Sequence, residues 1–392
     1  MSAMSESLLS KIAKSVKYRI RSHTFPQLSR YEAKGDYKAT HISAFSYGNA
    51  GDTLLPVVLR DLFNASLGVR QWHGRNVHKL VTPSEVERYN RDDFVVIGGG
   101  GLFLSDTQPN DTSGWQWNCS IEMLQGIKKP LIGFALGYNR FRGQKEFKPV
   151  FAKHLTQFVS QAAFVGIRNH GSIERLSDYL PTEELRSKLV FQPCMTTLIS
   201  RIYPSLRDYS LKDDFIAINC ALDRKELRSA GDGYLYSIAR VAKQLSEKTK
   251  IKYYSHLEKD KEALQYFDKV GVPYELVELS DVRQIVDCYS RPRLVLGMRG
   301  HAQMIPFGCS TPVFSIISHD KMQWFLSDIG HPDWGADVLD PEFENKLLTY
   351  ANRIYDNYKG YIGLIEKAKE QLWNVTQENM ELIKTKLNNN KI

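Results

Sequence analysis

Short apolar segments alternate with longer amphipathic segments along most of the chain. In the first half, runs rich in β-branched and aromatic residues are separated by segments whose apolar residues recur at helical spacing. The predicted strands are His41–Tyr47, Phe94–Ile97, Pro130–Ala135 and Ala163–Ile167, and the predicted helices are Leu54–Phe63, Glu122–Lys128, Phe151–Gln161 and Gly171–Leu180. Such alternation predicts βαβ units and a parallel, doubly wound sheet.

The alternation loosens into a polar, proline-containing stretch between residues 193 and 214 and then resumes. The later strands are Phe215–Asn219, Lys252–Ser255, Leu294–Gly297 and Val313–Ile317, and the later helices are Leu235–Glu247, Lys259–Val270, Val282–Tyr289 and His301–Gly308. From Pro341 onward the pattern is helical. We therefore predict an α/β fold of two Rossmann-like domains facing across a cleft, with a helical tail. The predicted boundaries are 1–40 for an N-terminal segment, 41–205 and 206–335 for the domains, and 336–392 for the tail.

Length and composition agree with two soluble domains. The chain has 392 residues, more than one hydrophobic core usually serves, and its 42% hydrophobic and 24% charged residues are ordinary for a globular protein. No apolar stretch reaches the about 18 residues of a membrane-spanning helix, and no secretory signal pattern begins the chain. We therefore expect a cytoplasmic protein. Its five cysteines are scattered without a C-x-x-C pair, so we expect neither disulfides nor a metal site.

The net charge of +8 favours an anionic partner. We do not expect nucleic acid, because the chain lacks the common nucleic-acid-binding patterns. Residues 5–22 predict a basic amphipathic helix with an apolar stripe, and such a segment either rests on the anionic inner face of a membrane or packs on the protein. The stripe consists of Leu8, Leu9, Ile12, Val16 and Ile20.

The stretch G-N-A-G-D links the first predicted strand to the first helix. Gly48 and Gly51 permit a tight turn and close backbone approach, and Asn49 lies between them. We expect Asp52 or Thr53 to cap the helix. The amides at this helix start would face a polar ligand, or the turn is only a compact connection.

The run Gly98 to Gly101 (Gly98, Gly99, Gly100 and Gly101) follows the second predicted strand. Four consecutive glycines cost more chain entropy than a plain turn requires, so we predict a loop whose backbone lies against a bound group. The run matches neither the dinucleotide fingerprint nor the P-loop pattern. Asp106, five residues beyond it, would present a carboxylate to the cleft or remain solvated.

Cations follow three later strands, where side chains point into the crevice of a parallel sheet. Arg168 stands after one strand in V-G-I-R-N, and its paired N–H donors suit a carboxylate or phosphate. In M-R-G-H-A, Arg299 and His301 place a fixed cation beside a titratable group at a helix start. Lys321 follows the last predicted strand and would add another positive charge.

The order of these motifs resembles the polysaccharide pyruvyl transferase family between Phe45 and Lys321. The matching motifs are G-N-A-G-D, G-G-G-G-L, V-G-I-R-N, G-M-R-G-H-A and P-V-F-S-I-I-S-H-D-K. The resemblance implies two Rossmann-like domains arranged as in GT-B glycosyltransferases. It also implies transfer of pyruvate from phosphoenolpyruvate onto sugar hydroxyls as a cyclic ketal. The chain departs from the family at Gln192–Pro193, where members usually have Asp-Pro; Cys194 follows.

Roles follow from the resemblance. Arg168 and Arg299 would bind the donor's phosphate and carboxylate, assisted by Lys321, and His301 would be the general acid. The reaction itself also needs a base for the sugar hydroxyl, for which Asp106 and Asp52 are candidates, and we expect the two glycine turns to form the acceptor side of the cleft. Phosphoenolpyruvate is then a co-substrate, and no other cofactor or metal is expected. A lipid-linked oligosaccharide at the inner membrane face would suit the basic N-terminal segment as acceptor.

Two other functions fit the same architecture. One is a GT-B-type glycosyltransferase that uses a nucleotide sugar, since the fold alone does not decide function. The other is a non-catalytic carbohydrate-binding protein in which Tyr47, Trp115 and Trp117 stack on sugars. The first would respond to nucleotide sugars and not to phosphoenolpyruvate. The second would bind glycans without turnover.

Overall fold

A computed structural model describes residues 35–45, 49–106, 111–223, 225–227 and 231–389. The helix predicted over residues 5–22 lies outside these described residues, as do Tyr47 and Gly48.

The first half of the described chain forms a parallel six-stranded sheet in the order β2-β1-β3-β4-β5-β6. Its strands are β1 (Tyr37–Ser43), β2 (Val69–Asn76), β3 (Phe94–Phe103), β4 (Leu131–Tyr138), β5 (Phe164–Ile167) and β6 (Leu189–Phe191). The helices between them are α1 (Ala50–Leu67), α2 (Pro83–Tyr89), α3 (Ile121–Gly126), α4 (Pro149–Gln161), α5 (His170–Ser177) and α6 (Glu183–Arg186). A 3₁₀ turn (Met195–Leu198) and α7 (Ile199–Ile202) lead out of this sheet.

The second half forms another parallel six-stranded sheet, in the order β12-β11-β10-β7-β8-β9. Its strands are β7 (Asp213–Asn219), β8 (Lys250–Ser255), β9 (Tyr274–Glu278), β10 (Pro292–Gly297), β11 (Val313–Ile317) and β12 (Gly335–Asp337). Its helices are α8 (Gly233–Leu245), α9 (Leu264–Val270), α10 (Val282–Ser290), α11 (His301–Gly308) and α12 (Asp320–Asp328), with 3₁₀ turns at Lys225–Leu227 and Glu258–Ala263. The predicted α/β fold of two doubly wound domains is confirmed.

The helical tail returns to the first domain. It consists of α13 (Phe343–Asp356) and α14 (Tyr358–Asn389). The Nε2 of Gln192, just after β6, donates a hydrogen bond of 3.2 Å to Thr376 of α14, and Asn379 donates one of 2.9 Å to the carbonyl of Phe191. The tail therefore links both domains. No described helix combines the length and apolar character that crossing a membrane requires.

The glycine run is part of a strand, so the predicted loop after Ile97 is wrong. Strand β3 continues through Gly98–Gly101 to Phe103. A β-carbon on Gly98 would lie 2.2 Å from the carbonyl oxygen of Phe134 in β4, and Gly99 and Gly100 have φ of +79° and +141°. The pairing of β3 with β4 shifts register after Gly100. These glycines therefore permit a bulged strand that presses closely on its neighbour.

Two aromatic residues proposed to stack on sugars lie in the core instead. Trp115 and Trp117 are each 1% exposed, and the indole nitrogen of Trp115 donates to Nδ1 of His154 at 2.9 Å. Neither ring is accessible to a glycan. Sugar stacking by this W-Q-W segment is therefore ruled out in this conformation.

Candidate active site

The site lies where the carboxyl ends of the two sheets face each other. In the first sheet, β1 lies between β2 and β3, and in the second, β7 lies between β8 and β10, so chain order reverses at both places. Ligands of open parallel sheets bind at such positions. The turns that follow β1 and β10 meet here, because Gly51 of α1 touches His301 of α11.

Asn49 caps α1. Its side-chain oxygen accepts a hydrogen bond of 3.1 Å from the amide of Gly51, and its Nδ2 donates to Asp52 at 3.3 Å. The prediction that Asp52 or Thr53 serves as the cap is therefore wrong: the helix begins two residues earlier than Asp52, so that carboxylate lies in the first turn. It is free to face the cleft.

Asp52 is half-buried among cations from both domains. Burial raises the pKa of its carboxyl to about 6, although the charges of Lys321, Arg299 and Arg168 oppose the rise. The carboxyl consequently exchanges a proton close to neutral pH, as a general base or acid requires.

Arg168 is a buried cation that forms no salt bridge with another described residue. It follows β5 and is 5% exposed, and its Nε has no hydrogen-bond partner. Gly137 of β4 makes room for it, because a β-carbon there would stand 2.2 Å from Nε. Burial lowers the pKa of Arg168, and the negative charge of Asp52 acts in the opposite direction. An unpaired buried guanidinium is costly unless an anion binds it.

Arg299 already has carboxylate partners. Its Nε donates to Asp260 at 2.8 Å, and its Nη2 lies 2.7 Å from a carboxylate oxygen of Asp223. Burial acts to lower the pKa of Arg299, but these two carboxylates outweigh it and raise the pKa above its ordinary value. The backbone amide of Arg299 also donates to the side chain of Asn219 at 3.2 Å, which fixes the turn after β10. This arginine is thus held firmly beside the cleft with its charge balanced.

His301 begins α11 at the floor of the cleft. Burial, together with the charges of Arg168 and Lys321, lowers its pKa to about 3, so the imidazole is neutral at pH 7. Its Nε2 lies 3.9 Å from the thiol of Cys194. The pKa of that thiol is raised by burial, so Cys194 remains protonated and is not a nucleophile.

Lys321 extends from the second residue of α12 toward the same turn. Its Cε lies 3.4 Å from the position of a β-carbon on Gly300, and its ammonium lies 5.7 Å from the ring centre of Phe141. Phe141 belongs to the segment after β4 in the first domain, so a cation–π contact crosses between the domains. The neighbouring Arg142 strengthens this crossing with a hydrogen bond of 3.0 Å to Asp337.

The structure thus brings Asp52, Arg168, Arg299, His301 and Lys321 together. Asp106 is exposed on the segment after β3. Of the predicted turn glycines, Gly51 and Gly101 border the cluster, whereas Gly98, Gly99 and Gly100 contact β4 and α1.

Sequence reasoning missed Asn139 and misjudged the surroundings of Gln192. Asn139 directly follows β4, and a polar residue at the carboxyl end of a strand was the signal for it. Gln192 is fully buried and hydrogen-bonded to Thr376 and Asn379 of the tail. The amide that replaces the family's usual carboxylate therefore helps to attach the tail to the first domain. Across the described residues, no group of three or more His, Cys, Asp or Glu side chains could hold a metal ion.

Solved structures of similar fold include sugar-nucleotide enzymes. UDP-GlcNAc 2-epimerase from Neisseria meningitidis, bound to UDP-GlcNAc, aligns with a TM-score of 0.50 and 12% identity over 88% of this chain and 99% of that chain. The Methanocaldococcus jannaschii UDP-GlcNAc 2-epimerase gives a TM-score of 0.48 and 12% identity over 80% of this chain and 92% of that chain. At such identities the first likeness supports the two-domain fold alone, and the second adds no argument.

The family comparison is more informative. We found no significant match among curated proteins. A sequence model of the polysaccharide pyruvyl transferase family, however, matches residues 10–320. This range includes four of the five residues of the cluster, and Lys321 lies one residue beyond it. Because this match spans most of the chain, the protein belongs to the polysaccharide pyruvyl transferase family and is a transferase.

Proposed function

We propose that this protein transfers the pyruvyl group of phosphoenolpyruvate to two hydroxyls of a glycan, forming a cyclic ketal and releasing phosphate. The observation that supports this most strongly is the buried, unpaired Arg168 in a cleft that also contains Lys321, His301 and Asp52. This set combines anion binding with two groups able to move protons.

Donor binding would depend chiefly on Arg168 and Lys321. Phosphoenolpyruvate has up to three negative charges. Arg168 is buried with its Nε lacking a hydrogen bond, and the positive charge of Lys321 acts on His301 and Asp52 in the same cleft. Arg299 shares its charge with Asp260 and Asp223. Its role in the proposal is therefore to hold the turn that presents His301, with less direct charge given to the donor.

His301 is the proposed general acid. In the free protein its pKa is about 3, partly because Arg168 and Lys321 repel a proton. An anionic donor placed between these cations offsets their charge and raises the pKa of His301. The imidazole would then take up a proton as the donor binds, so the acid is formed only when its substrate is present.

Asp52 is the proposed base. Its pKa of about 6 leaves it mostly ionised at pH 7 but still able to accept a proton from a sugar hydroxyl. Asp106, the other candidate from the sequence, is exposed, whereas Asp52 is half-buried among the cations of the cleft, so we favour Asp52.

The proposed reaction begins with protonation of the donor. Protonated His301 gives its proton to the methylene carbon of the donor, which becomes a methyl group and leaves positive charge on C2. One sugar hydroxyl attacks C2 and loses its proton to Asp52. The C2–O bond to phosphate then breaks, and phosphate leaves with the proton held by Asp52. The second hydroxyl attacks C2 and gives its proton to His301, which closes the ketal and restores both side chains. Only proton transfer and anion stabilisation are required, so the proposal includes no metal and no further cofactor.

The glycan acceptor would be a polysaccharide precursor. We propose a lipid-linked oligosaccharide because residues 5–22 form a basic amphipathic pattern suited to an anionic membrane face. Removing residues 1–22 should then weaken binding to anionic vesicles while leaving binding of phosphoenolpyruvate unchanged. Equal vesicle binding with and without the segment would remove this part of the proposal.

Turnover in deuterium oxide tests the reaction itself. The protein is incubated with phosphoenolpyruvate and a panel of oligosaccharides, and released phosphate is measured beside the product methyl group by NMR. Pyruvyl transfer predicts one deuterium in each ketal methyl and no product with His301→Ala. Transfer of sugar from a nucleotide sugar, without consumption of phosphoenolpyruvate, would identify a glycosyltransferase instead.

A further inference from the structure

Two N–H groups converge on an empty position above Gly101. A β-carbon at residue 101 would lie 3.2 Å from Nη2 of Arg168 and 3.4 Å from Nδ2 of Asn139. Gly101 is partly exposed although the residues that follow it in β3 are buried, so this position opens toward the cleft. A ligand that packs on the α-carbon of Gly101 would come within reach of N–H groups from both side chains.

Both side chains lack the partners that buried polar groups normally have. Asn139 is 9% exposed and its Oδ1 has no hydrogen bond, while Arg168 is 5% exposed and its Nε has none. No ion pair or side-chain hydrogen bond involves either residue within the part of the chain that the structure describes. The N–H groups Nη2 of Arg168 and Nδ2 of Asn139, both beside Gly101, therefore remain available to a ligand.

We propose that Arg168 and Asn139 form a carboxylate pocket over Gly101, which binds the carboxylate of the enolpyruvyl donor and so selects for donors that possess one. This inference rests on the proposed function and adds to it a specificity residue, Asn139, and a position for one end of the donor. The backbone amide of Asn139 donates to the carbonyl of Phe103 at 2.8 Å, which fixes the side chain at the end of β4 beside β3.

A carboxylate fits this pocket better than a phosphoryl group. The pocket has one full positive charge and one neutral amide, which matches a monoanion, and planar guanidinium groups pair well with planar carboxylates. The phosphoryl end has more charge and would lie toward Lys321 and the start of α11, in the other domain. The donor would thus span the cleft, with its reacting carbons between the two ends and beside His301.

Two substitutions test the pocket from opposite directions. Asn139→Ala removes one donor, and Gly101→Ala places a methyl group between the two donors, where it would obstruct the carboxylate. Residue 101 has no left-handed φ and its nearest contacts would be 3.2 Å or more, so the protein should accept alanine there. Gly233→Ala is the matched control, because nothing lies within 4 Å of a β-carbon at that position.

Dissociation constants for phosphoenolpyruvate and inorganic phosphate are measured on the full-length protein, and thermal unfolding confirms that each variant folds. Loss of a hydrogen bond to a charged group should weaken phosphoenolpyruvate binding about 10-fold to 100-fold in both variants. Phosphate binding should stay within about twofold of the unsubstituted protein, as should both ligands for Gly233→Ala.

The possible results distinguish the carboxylate pocket from the proposed pyruvyl transfer. Unsubstituted protein that binds phosphoenolpyruvate, with Asn139→Ala and Gly101→Ala binding it equally well, would overturn the carboxylate pocket and leave the proposed function standing. A parallel loss of phosphate affinity would mean that the pocket holds the phosphoryl end, which also overturns it. Failure of the unsubstituted protein to bind phosphoenolpyruvate even with glycan present would overturn both.

Discussion

Gly51 of the first domain lies directly against His301 of the second. A β-carbon on residue 51 would stand 2.1 Å from Nδ1 and 2.5 Å from Cγ of the imidazole. Gly51 is therefore required because the imidazole of His301 leaves no room for a β-carbon. The same contact positions the first domain's part of the site against the second domain's part. Substitution of Gly51 should therefore disturb the position of His301.

Gly51→Ala should displace His301 or separate the two domains, because the added methyl group would clash with the imidazole ring. We expect the pyruvyl transfer rate to fall about 100-fold, the order of loss that follows from misplacing a catalytic group by about 1 Å. Steady-state kinetics beside Gly233→Ala, an alanine placed in open space, provide the comparison. A Gly51→Ala protein with unchanged rate would show that the imidazole does not need its observed position.

Donor binding should be accompanied by proton uptake at His301. The pKa of this imidazole is lowered to about 3 by burial and by Arg168 and Lys321, so at pH 7 it begins unprotonated. A bound anion reverses part of that effect and raises the pKa. Calorimetry with phosphoenolpyruvate in buffers of different ionisation enthalpy should show uptake approaching one proton per donor bound. His301→Gln should abolish the proton uptake by the protein. Equal uptake in both proteins would exclude His301 as the group protonated.

Asp52 should set the acidic limb of the pH–rate profile. Its pKa is raised to about 6 by burial, so the base is lost as pH falls below that value. Asp52→Asn should remove this limb and lower the rate about 10²-fold to 10⁴-fold. Retention of the limb in the variant would assign it to another group.

The same shift predicts an effect on stability of known sign. A carboxyl whose folded pKa lies above its ordinary value of 3.8 contributes fully to stability below that value and loses its contribution as pH rises through about 6. Asp52→Asn should therefore be more stable than the unsubstituted protein at pH 8, with the difference vanishing near pH 3.5. Denaturant unfolding at several pH values measures this, and an opposite trend would mean that the surrounding cations outweigh burial.

Lys369 of the tail should be important for the assembly of the two domains. It is fully buried, and its ammonium donates to Ser200 of the first domain at 2.8 Å, to Ser310 of the second at 2.7 Å, and to Glu366 at 2.8 Å. Lys369→Ala should lower the free energy of unfolding by about 3 kcal/mol, because it leaves these groups without their shared partner. The exposed pair of Lys384 and Glu381 supplies the control, since Lys384→Ala should cost less than about 0.5 kcal/mol. Similar values for both variants would contradict the linking role.

Much of the fold could be predicted from the pattern of apolar residues, and the omissions have one physical cause. The strands without a sequence prediction in the described chain are β2, β6, β9 and β12, which are the edges of the two sheets. Edge strands face solvent along one side, so their sequences are less apolar than central strands; β9, for example, is largely exposed. Central strand β11 is buried throughout, and its bounds match the prediction. Central strand β1 begins four residues earlier than the sequence predicts.

The site could be predicted only as far as local sequence determines it. Arg168, His301 and Lys321 follow strands, and their position in the chain sufficed to place them in the cleft. The carboxylate partners of Arg299 come from residues 223 and 260, far away in sequence, so its balanced charge could not be foreseen. The glycine run predicts a ligand loop because four glycines indicate only that something lies close to the backbone. Their entropy cost does not show whether that neighbour is a ligand, a strand or an arginine side chain.

Calorimetric titration with phosphoenolpyruvate tests the central claim most directly. We predict that the full-length protein binds phosphoenolpyruvate, that Arg168→Ala loses this binding, and that UDP-GlcNAc gives no comparable signal. The titration is repeated with oligosaccharide present, in case the acceptor completes the site. Binding of UDP-GlcNAc with no binding of phosphoenolpyruvate in either titration would contradict the assignment of this cleft to pyruvyl transfer.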